Sequence, residues 1–164
     1  MLSRESSSTL LAAVTAFLYR EARLQDEHQY EAWEKLWTED GVYWVPANGA
    51  DINPEKEMSI IYDNRSRIAL RVRQLMSGKH YTQTPQSNLR RLISNIELMD
   101  EEAGEDIAVA SNSMIFESSL RDDTLWAARN DYRLRFVEGE LRMAYKKVTL
   151  VNNSKAIYTL SFLV

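Results

Sequence analysis

The sequence predicts an α+β fold in which helices come first and long antiparallel strands follow. Apolar residues recur at helical spacing in three segments before residue 78, whereas the residues after 88 alternate between apolar and polar side chains in long runs. A chain with helices followed by a run of strands is typical of an α+β domain. Its 164 residues, 45% hydrophobic and 27% charged, are enough for a single domain that spans residues 1–164.

The first predicted helix lies near the start of the chain. Its side chains follow helical spacing at Leu10, Val14, Phe17, Leu18 and Glu21 to Leu24. A side-chain oxygen of the Ser7–Thr9 segment is expected to cap its first free backbone N–H groups. The run is shorter than the roughly 20 residues that cross a bilayer, and no small-residue cleavage site follows it. It is therefore interpreted as a buried helix face rather than a signal peptide.

A second helix is predicted from about Asp26 to Trp37, with its rings on one stripe. The following "TEDG" is expected to end this helix in a turn, where Gly41 would allow a positive φ. "VYWVPA" is rich in β-branched and aromatic residues and predicts a short strand that stops at Pro46. "MSIIYD" predicts another brief strand, and a third helix is predicted over Asn64–Ser77.

Four alternating segments in the second half predict a meander of long antiparallel strands. They are "RRLISNIELM", "IAVASNSMIFESSL", "LWAARNDYRLRFV" and "LRMAYKKVTLV". The turns between them are "DEEAGED", "RDDT" and "EGE". Because alternation puts apolar side chains on one face, we expect the helices to pack on the concave side of a curved sheet.

Composition excludes several function classes. The net charge is −4 and no long basic block occurs, so nucleic-acid binding is not expected. The absence of cysteine excludes a disulfide, a thiolate nucleophile and a Rieske cluster ligated by this chain, and it fits a cytoplasmic location. Mononuclear iron needs two histidines and a carboxylate, but His28 and His80 are far apart in sequence and lack the spacing of paired ligands. We therefore expect no metal or cofactor in this chain.

One set of residues offers acid–base chemistry. Asp26, Tyr30 and His80 would form a catalytic site if they converged at the mouth of the fold. The structural alternative is favoured, in which Asp26 caps free N–H groups where two helices meet and His80 packs within a loop. Trp33, Trp37 and the other rings of the stripe are likewise interpreted as core rather than as a ligand pocket.

Several segments match, in their order and spacing, patterns of one known protein family. "FLYREARLQDEHQYEAWEKLWTEDGVYWVP" is similar to the opening of that family, and "IIYDNRSRIALRVRQLMSG" is similar to its basic helix. "KHYTQTPQSNLRRLISNIEL" matches a segment with the residues Pro85, Ser87, Arg90, Arg91, Ser94 and Asn95. The final hairpin, "AARNDYRLRF" and "MAYKKVTLVNN", completes a set of matches that covers essentially the whole chain. The sequence therefore resembles the small (β) subunit of bacterial aromatic-ring-hydroxylating dioxygenases.

The resemblance implies a cone-shaped fold of the nuclear-transport-factor-like or cystatin-like kind, with a curved, mostly antiparallel sheet around the N-terminal helices. It also implies an α3β3 assembly in which the large subunit holds a Rieske [2Fe–2S] cluster, a mononuclear Fe(II) and the substrate pocket. The small subunit would then be structural, would associate as a trimer and would take part in degrading an aromatic compound of the benzoate type.

Two further expectations follow. Arg90 and Arg91 are predicted to contribute to subunit contacts, because arginine is enriched at interfaces, with a solvated surface role as the alternative. The rival function is a stand-alone, cofactor-free isomerase or dehydratase of the same cone fold. An open cavity ending in Asp26, Tyr30 or His80 would favour the enzyme, whereas a cone filled by tryptophans and tyrosines would favour the structural subunit.

Overall fold

The described part of the protein, residues 4–47, 59–77, 86–151 and 162–164 of a computed structural model, contains three helices and six strands. The helices are α1 (Arg4–Asp26), α2 (Tyr30–Glu34) and α3 (Arg65–Met76). The strands are β1 (Trp37–Pro46), β2 (Ser59–Asp63), β3 (Asn88–Leu98), β4 (Ile107–Ser118), β5 (Asp123–Val137) and β6 (Glu140–Leu150).

All six strands form one sheet in the order β2-β1-β6-β5-β4-β3. The pairing of β1 with β6 is parallel, and the other four pairings are antiparallel. The predicted α+β class and the meander from β3 to β6 are confirmed, because alternating side chains of these strands face the core.

The start of the chain differs from the prediction. The backbone is helical from Arg4 onward, so the residues expected to cap the helix lie inside α1. At α3 the capping prediction holds, since the side chain of Asn64 accepts a hydrogen bond from the backbone N–H of Arg67 at 3.0 Å.

The second helix is shorter than predicted. It ends at Glu34, and "TEDG" lies inside β1, where the pairing with β6 shifts between Trp37 and Val42. Gly41 does not have a positive φ. A Cβ atom there would lie 2.7 Å from Cε3 of Trp37, so this glycine is required by close packing rather than by a turn.

The core lies between the helices and the buried face of the sheet, and three aromatic rings form its centre. Trp33 contacts Trp37 and Tyr43 edge to face, with ring centroids 5.6 and 5.7 Å apart. Phe162, Leu163 and Val164 are also buried in this core. In the described residues, no helix is long and apolar enough to cross a membrane.

Candidate functional site

Asp26 forms a buried ion pair with Arg91. Its two carboxylate oxygens accept the backbone N–H of Arg91 at 3.0 Å and the Nε–H at 2.6 Å, and the two side chains are 5% and 2% exposed. The remaining guanidinium nitrogens of Arg91 donate to the side chain of Gln25 and to the carbonyl of Leu163. The carboxylate is therefore engaged with a permanent cation, which leaves it poorly suited to abstract a proton.

His28 and Tyr30 hold each other and the start of β3. Nε2 of His28 lies 2.8 Å from the carbonyl oxygen of Ser87, which can only accept, so Nε2 carries the proton. The other ring nitrogen, Nδ1, forms a hydrogen bond with the hydroxyl of Tyr30. His28 has a φ of +56°, a conformation that redirects the chain between α1 and α2.

These contacts assign a structural task to the segment from Asp26 to Tyr30, which we call the α1–α2 corner. Asp26 binds the backbone of Arg91 within β3, and His28 binds the backbone of Ser87 just before it. Strand β3 is the last strand of the sheet, and terminal strands carry unpaired backbone groups that natural proteins cover. The α1–α2 corner provides such a cover.

Of the three residues predicted to be catalytic, two lie within the described part of the structure. Asp26 and Tyr30 both lie at the α1–α2 corner, but each is bound to a different partner. His80 lies outside the described residues. A catalytic role for the three residues stays untested, and the described contacts supply a structural role for two of them.

A buried charged cluster, which sequence reasoning missed, lies inside the core. The Glu21 carboxylate accepts hydrogen bonds from Nζ of Lys146 at 2.8 Å, Nε1 of Trp33 at 3.0 Å and the hydroxyl of Tyr132 at 2.8 Å. Glu21 and Lys146 are each 2% exposed. Nζ of Lys146 also lies over the rings of Tyr43 and Tyr132, 5.8 and 5.5 Å from their centroids.

Burial and mutual attraction compete in this cluster. Burial opposes ionisation of Glu21, but the charge of Lys146 and hydrogen bonds from Lys146, Trp33 and Tyr132 outweigh it, so the pKa of Glu21 is lowered. Burial lowers the pKa of Lys146, and Glu21 offsets part of that shift. Burial and then the Glu21 charge raise the pKa of Tyr132. The cluster is therefore a buried salt bridge whose carboxylate also accepts hydrogen bonds from two neutral donors.

The sequence contained a signal for this cluster. Glu21 falls on the same stripe of α1 as Phe17 and Leu24, so a carboxylate occupies the apolar face. Lys146 and Lys147 are adjacent in β6, and alternation forces one of them toward the core. Lys147 instead places its Nζ 4.5 Å from the centroid of the Trp44 ring.

The described side chains pack closely around these rings. The hydroxyl of Tyr43 donates to the carbonyl of Val164 at 2.6 Å and accepts the backbone N–H of Val164 at 3.1 Å. Two of the clefts lined by described residues lie away from these rings. One, of about 180 Å³, is lined by Met99, Glu101, Ala108, Val109, Asp131, Tyr132, Arg133, Tyr145 and Lys147. The other, of about 480 Å³, is lined by Glu5, Ser6, Thr9, Leu10, Ala13 and Phe136.

Neither cleft is lined by Asp26 or Tyr30. Across the described ranges, no cluster of three or more histidine, aspartate or glutamate side chains is placed to hold a metal ion.

Residues 20–155 match the family model described as the ring hydroxylating beta subunit. The chain belongs to this family. The β subunit is 33% identical over 139 residues to the small oxygenase component of the p-cumate 2,3-dioxygenase system of Pseudomonas putida, a match that covers 84% of this chain and 77% of that one. It is 31% identical over 160 residues to the small subunit of 2-halobenzoate 1,2-dioxygenase of Burkholderia cepacia, covering 93% of each chain.

Solved structures agree with the family. The β subunit of benzoate 1,2-dioxygenase from Burkholderia mallei ATCC 23344 superposes with a TM-score of 0.75 and is 25% identical, covering 93% of this chain and 97% of that one. A putative scytalone dehydratase from Novosphingobium aromaticivorans DSM 12444 is 13% identical, with a TM-score of 0.66 over 91% of this chain and 89% of that one. The second likeness shows the fold alone. The predicted family and the nuclear-transport-factor-like fold are confirmed.

The two arginines predicted to lie at interfaces have different positions in the β subunit. Arg90 is exposed, whereas the Arg91 side chain lies inside the chain and bonds to Gln25, Asp26 and Leu163. The alternative prediction for Arg91, a side chain on the solvated surface, is therefore wrong, because this side chain is buried. Contact between subunits stays a prediction for both, and of the two only Arg90 presents its side chain to solvent.

Proposed function

We propose that this β subunit is a structural component of an α3β3 oxygenase and performs no chemistry of its own. The observation that carries the proposal is the packed aromatic core: Trp33, Trp37 and Tyr43 pack against one another, beside the Glu21–Lys146 salt bridge. A cofactor-free isomerase or dehydratase of this fold would need that space for its substrate. The rival function therefore gains no support from the described residues.

The redox groups of such an oxygenase belong to the large subunit in this proposal. A Rieske cluster requires two cysteines and two histidines, and this chain has no cysteine and only two histidines. His28 is already bound on both ring nitrogens, so it is a poor candidate for an iron ligand. The Rieske [2Fe–2S] cluster and the mononuclear Fe(II) are thus assigned to the partner.

The relatives suggest the kind of substrate. They are small subunits of oxygenases named for p-cumate, toluate and 2-halobenzoate, which are substituted benzoates. We propose that the complex containing this β subunit hydroxylates the ring of an aromatic carboxylate. The location proposed for the complex is the cytoplasm.

Co-expression with a candidate large subunit tests the proposal. We expect the two chains to co-purify in equal numbers, with about three irons per large subunit, and the complex to dihydroxylate a benzoate when electrons are supplied. The β subunit purified alone and treated with chelator should turn over neither a benzoate nor a ketosteroid or naphthol-type substrate.

Two results would count against the proposal. Turnover by the chelated β subunit alone would assign chemistry to this chain. A large subunit that reaches full activity and normal stability without the β subunit would remove the supporting role.

A further inference from the structure

The outer face of three neighbouring strands exposes a block of apolar side chains. In register across β3, β4 and β5, Arg90 lies beside Phe116 and Leu125. The next row on the same face contains Leu92, Met114 and Ala127, and the third contains Ser94, Asn112 and Arg129. We call these nine positions the β3–β5 face.

The β3–β5 face has the composition of an interface. All of its positions except Ala127 are exposed, and Leu92 and Leu125 are 71% and 59% exposed. None of the nine is acidic, and arginines lie at two corners. Interface centres are enriched in aromatic residues, methionine and arginine and are bordered by polar groups. At ordinary strand spacing the block covers about 300 Å², the central part of the roughly 800 Å² that each partner buries in a standard interface.

A second surface has the complementary character. The cleft of about 480 Å³ lies between the first turns of α1 and the end of β5, and Phe136 lines it while 52% exposed. Glu5 is the acidic residue among those that line it. We call this surface the α1–Phe136 groove. In the described ranges neither Glu5 nor Arg90 has an ion-pair partner.

The two surfaces lie at opposite ends of one long strand. Leu125 and Phe136 are both on β5, and the strand between them is about 36 Å long at the usual rise per residue. A surface that binds a different, distant surface on an identical copy makes a head-to-tail contact, and repeated contacts of this kind close a ring when the rotation between copies is a whole fraction of a turn. A two-fold dimer would instead use one surface twice.

We propose that the β3–β5 face of one copy binds the α1–Phe136 groove of the next, with Arg90 facing Glu5, and that three such contacts close the β trimer. The occupant is thus a second copy of this chain, as the opposite charges and the shared apolar character of the two surfaces indicate. This inference depends on the trimer within the proposed function, and it identifies the surfaces that form it.

Sedimentation of the purified full-length chain tests the contact. Wild type should sediment as three copies of the 19.0 kDa chain. Leu92→Asp breaks the β3–β5 face and Phe136→Asp breaks the α1–Phe136 groove, so each variant should sediment as a single copy. A mixture of the two variants should form a dimer, because one intact face and one intact groove remain.

Charge reversal tests the predicted pairing. Arg90→Glu and Glu5→Arg should each raise the trimer dissociation constant about tenfold. The double variant should restore most of the lost affinity, because the two charges are then exchanged. Arg67→Glu is the matched control, since it reverses an exposed arginine on α3 that belongs to neither surface. Thermal melts that stay within a few degrees of wild type establish that the variants fold.

The outcomes separate the inference from the function it depends on. Trimers of Leu92→Asp and Phe136→Asp, or a mixture that stays monomeric, would overturn the contact and leave the proposed function intact. Trimeric variants that no longer co-purify with the large subunit would assign the β3–β5 face to that partner instead. A wild-type chain that is monomeric both alone and within the complex would overturn the β trimer itself.

Discussion

Replacing Lys146 by methionine should reveal how strongly the buried charged cluster depends on its cation. Methionine keeps most of the side-chain length but removes the ammonium, which is 2.8 Å from the Glu21 carboxylate. Glu21 would keep only the donors of Trp33 and Tyr132. Removing one member of a buried pair costs about 3–5 kcal/mol, because the other charge stays desolvated. In a domain of this size that corresponds to a fall in Tm of about 6–20 °C.

The loss should depend on pH in a defined direction. In the wild type the pKa of Glu21 is lowered, so the stability it contributes is present above its unfolded value of about 4.3 and is lost as the pH falls through the folded value. Without the ammonium, burial is opposed only by two neutral donors, and the pKa should rise above the unfolded value. Stability of the variant then falls as the pH rises through that new value. The deficit relative to wild type should be larger at pH 8 than at pH 5.

Urea unfolding at both pH values, followed by circular dichroism, measures these free energies. Lys147→Met is the matched control, since the neighbouring lysine lies over Trp44 at the border of the core and should lose about 1 kcal/mol or less. Glu21→Gln combined with Lys146→Met removes both charges and keeps an acceptor for the neutral donors. This double variant should be more stable than Lys146→Met alone. If Lys146→Met costs no more than Lys147→Met, or costs the same at both pH values, the reasoning is wrong.

Two smaller changes test the packing at the edges of the core. Asp26→Asn keeps the shape of the side chain but leaves the Arg91 guanidinium without its anion. We expect it to lower the free energy of unfolding, measured in urea melts, by about 3 kcal/mol. A loss below 1 kcal/mol would show that the ion pair adds little stability. Gly41→Ala places a Cβ 2.7 Å from the Trp37 ring. We expect it to lower the free energy of unfolding by about 1–3 kcal/mol and to alter the near-ultraviolet circular dichroism spectrum. An unchanged spectrum and Tm would contradict the close approach.

The sequence predicted the meander well because alternation along a strand is a local signal. The residues of β4 and β5 can be assigned to two faces without knowing their partners, and the structure places them so. The segment after Trp33 was harder to predict. Its rings fit a helical stripe, but the parallel pairing of Trp37 with Met143 of β6 lies more than 100 residues away in sequence and decides the outcome. A propensity for helix was overridden by a contact that no local pattern reveals.

The site residues show the same limit. Asp26 and Tyr30 were selected because an acid and a phenol near an imidazole suggest proton transfer, but sequence spacing does not report which partners they meet. Asp26 binds the backbone N–H and the guanidinium of Arg91, which is remote in the chain. Tyr30 binds His28, and His28 in turn binds the carbonyl of Ser87. Arg91 was predicted to contribute to a subunit contact because arginine is enriched at interfaces, and that contact stays a prediction. Residue type does not report the inward direction of its side chain, which depends on where β3 begins.

The distribution of polar groups indicates where the activity of this β subunit is to be found. Inside the described chain, Glu21, Asp26 and Arg91 are bound to groups of the same chain, so they hold the fold and leave little capacity to bind a substrate. On the surface the situation is reversed, because Arg90 and the apolar side chains around Leu92 are exposed beside one another. Desolvating such a block is favourable only when another surface covers it. These positions favour a function in assembly. Apolar surface at the outer face can be buried against a partner, whereas the polar groups of the core are already bound within the chain.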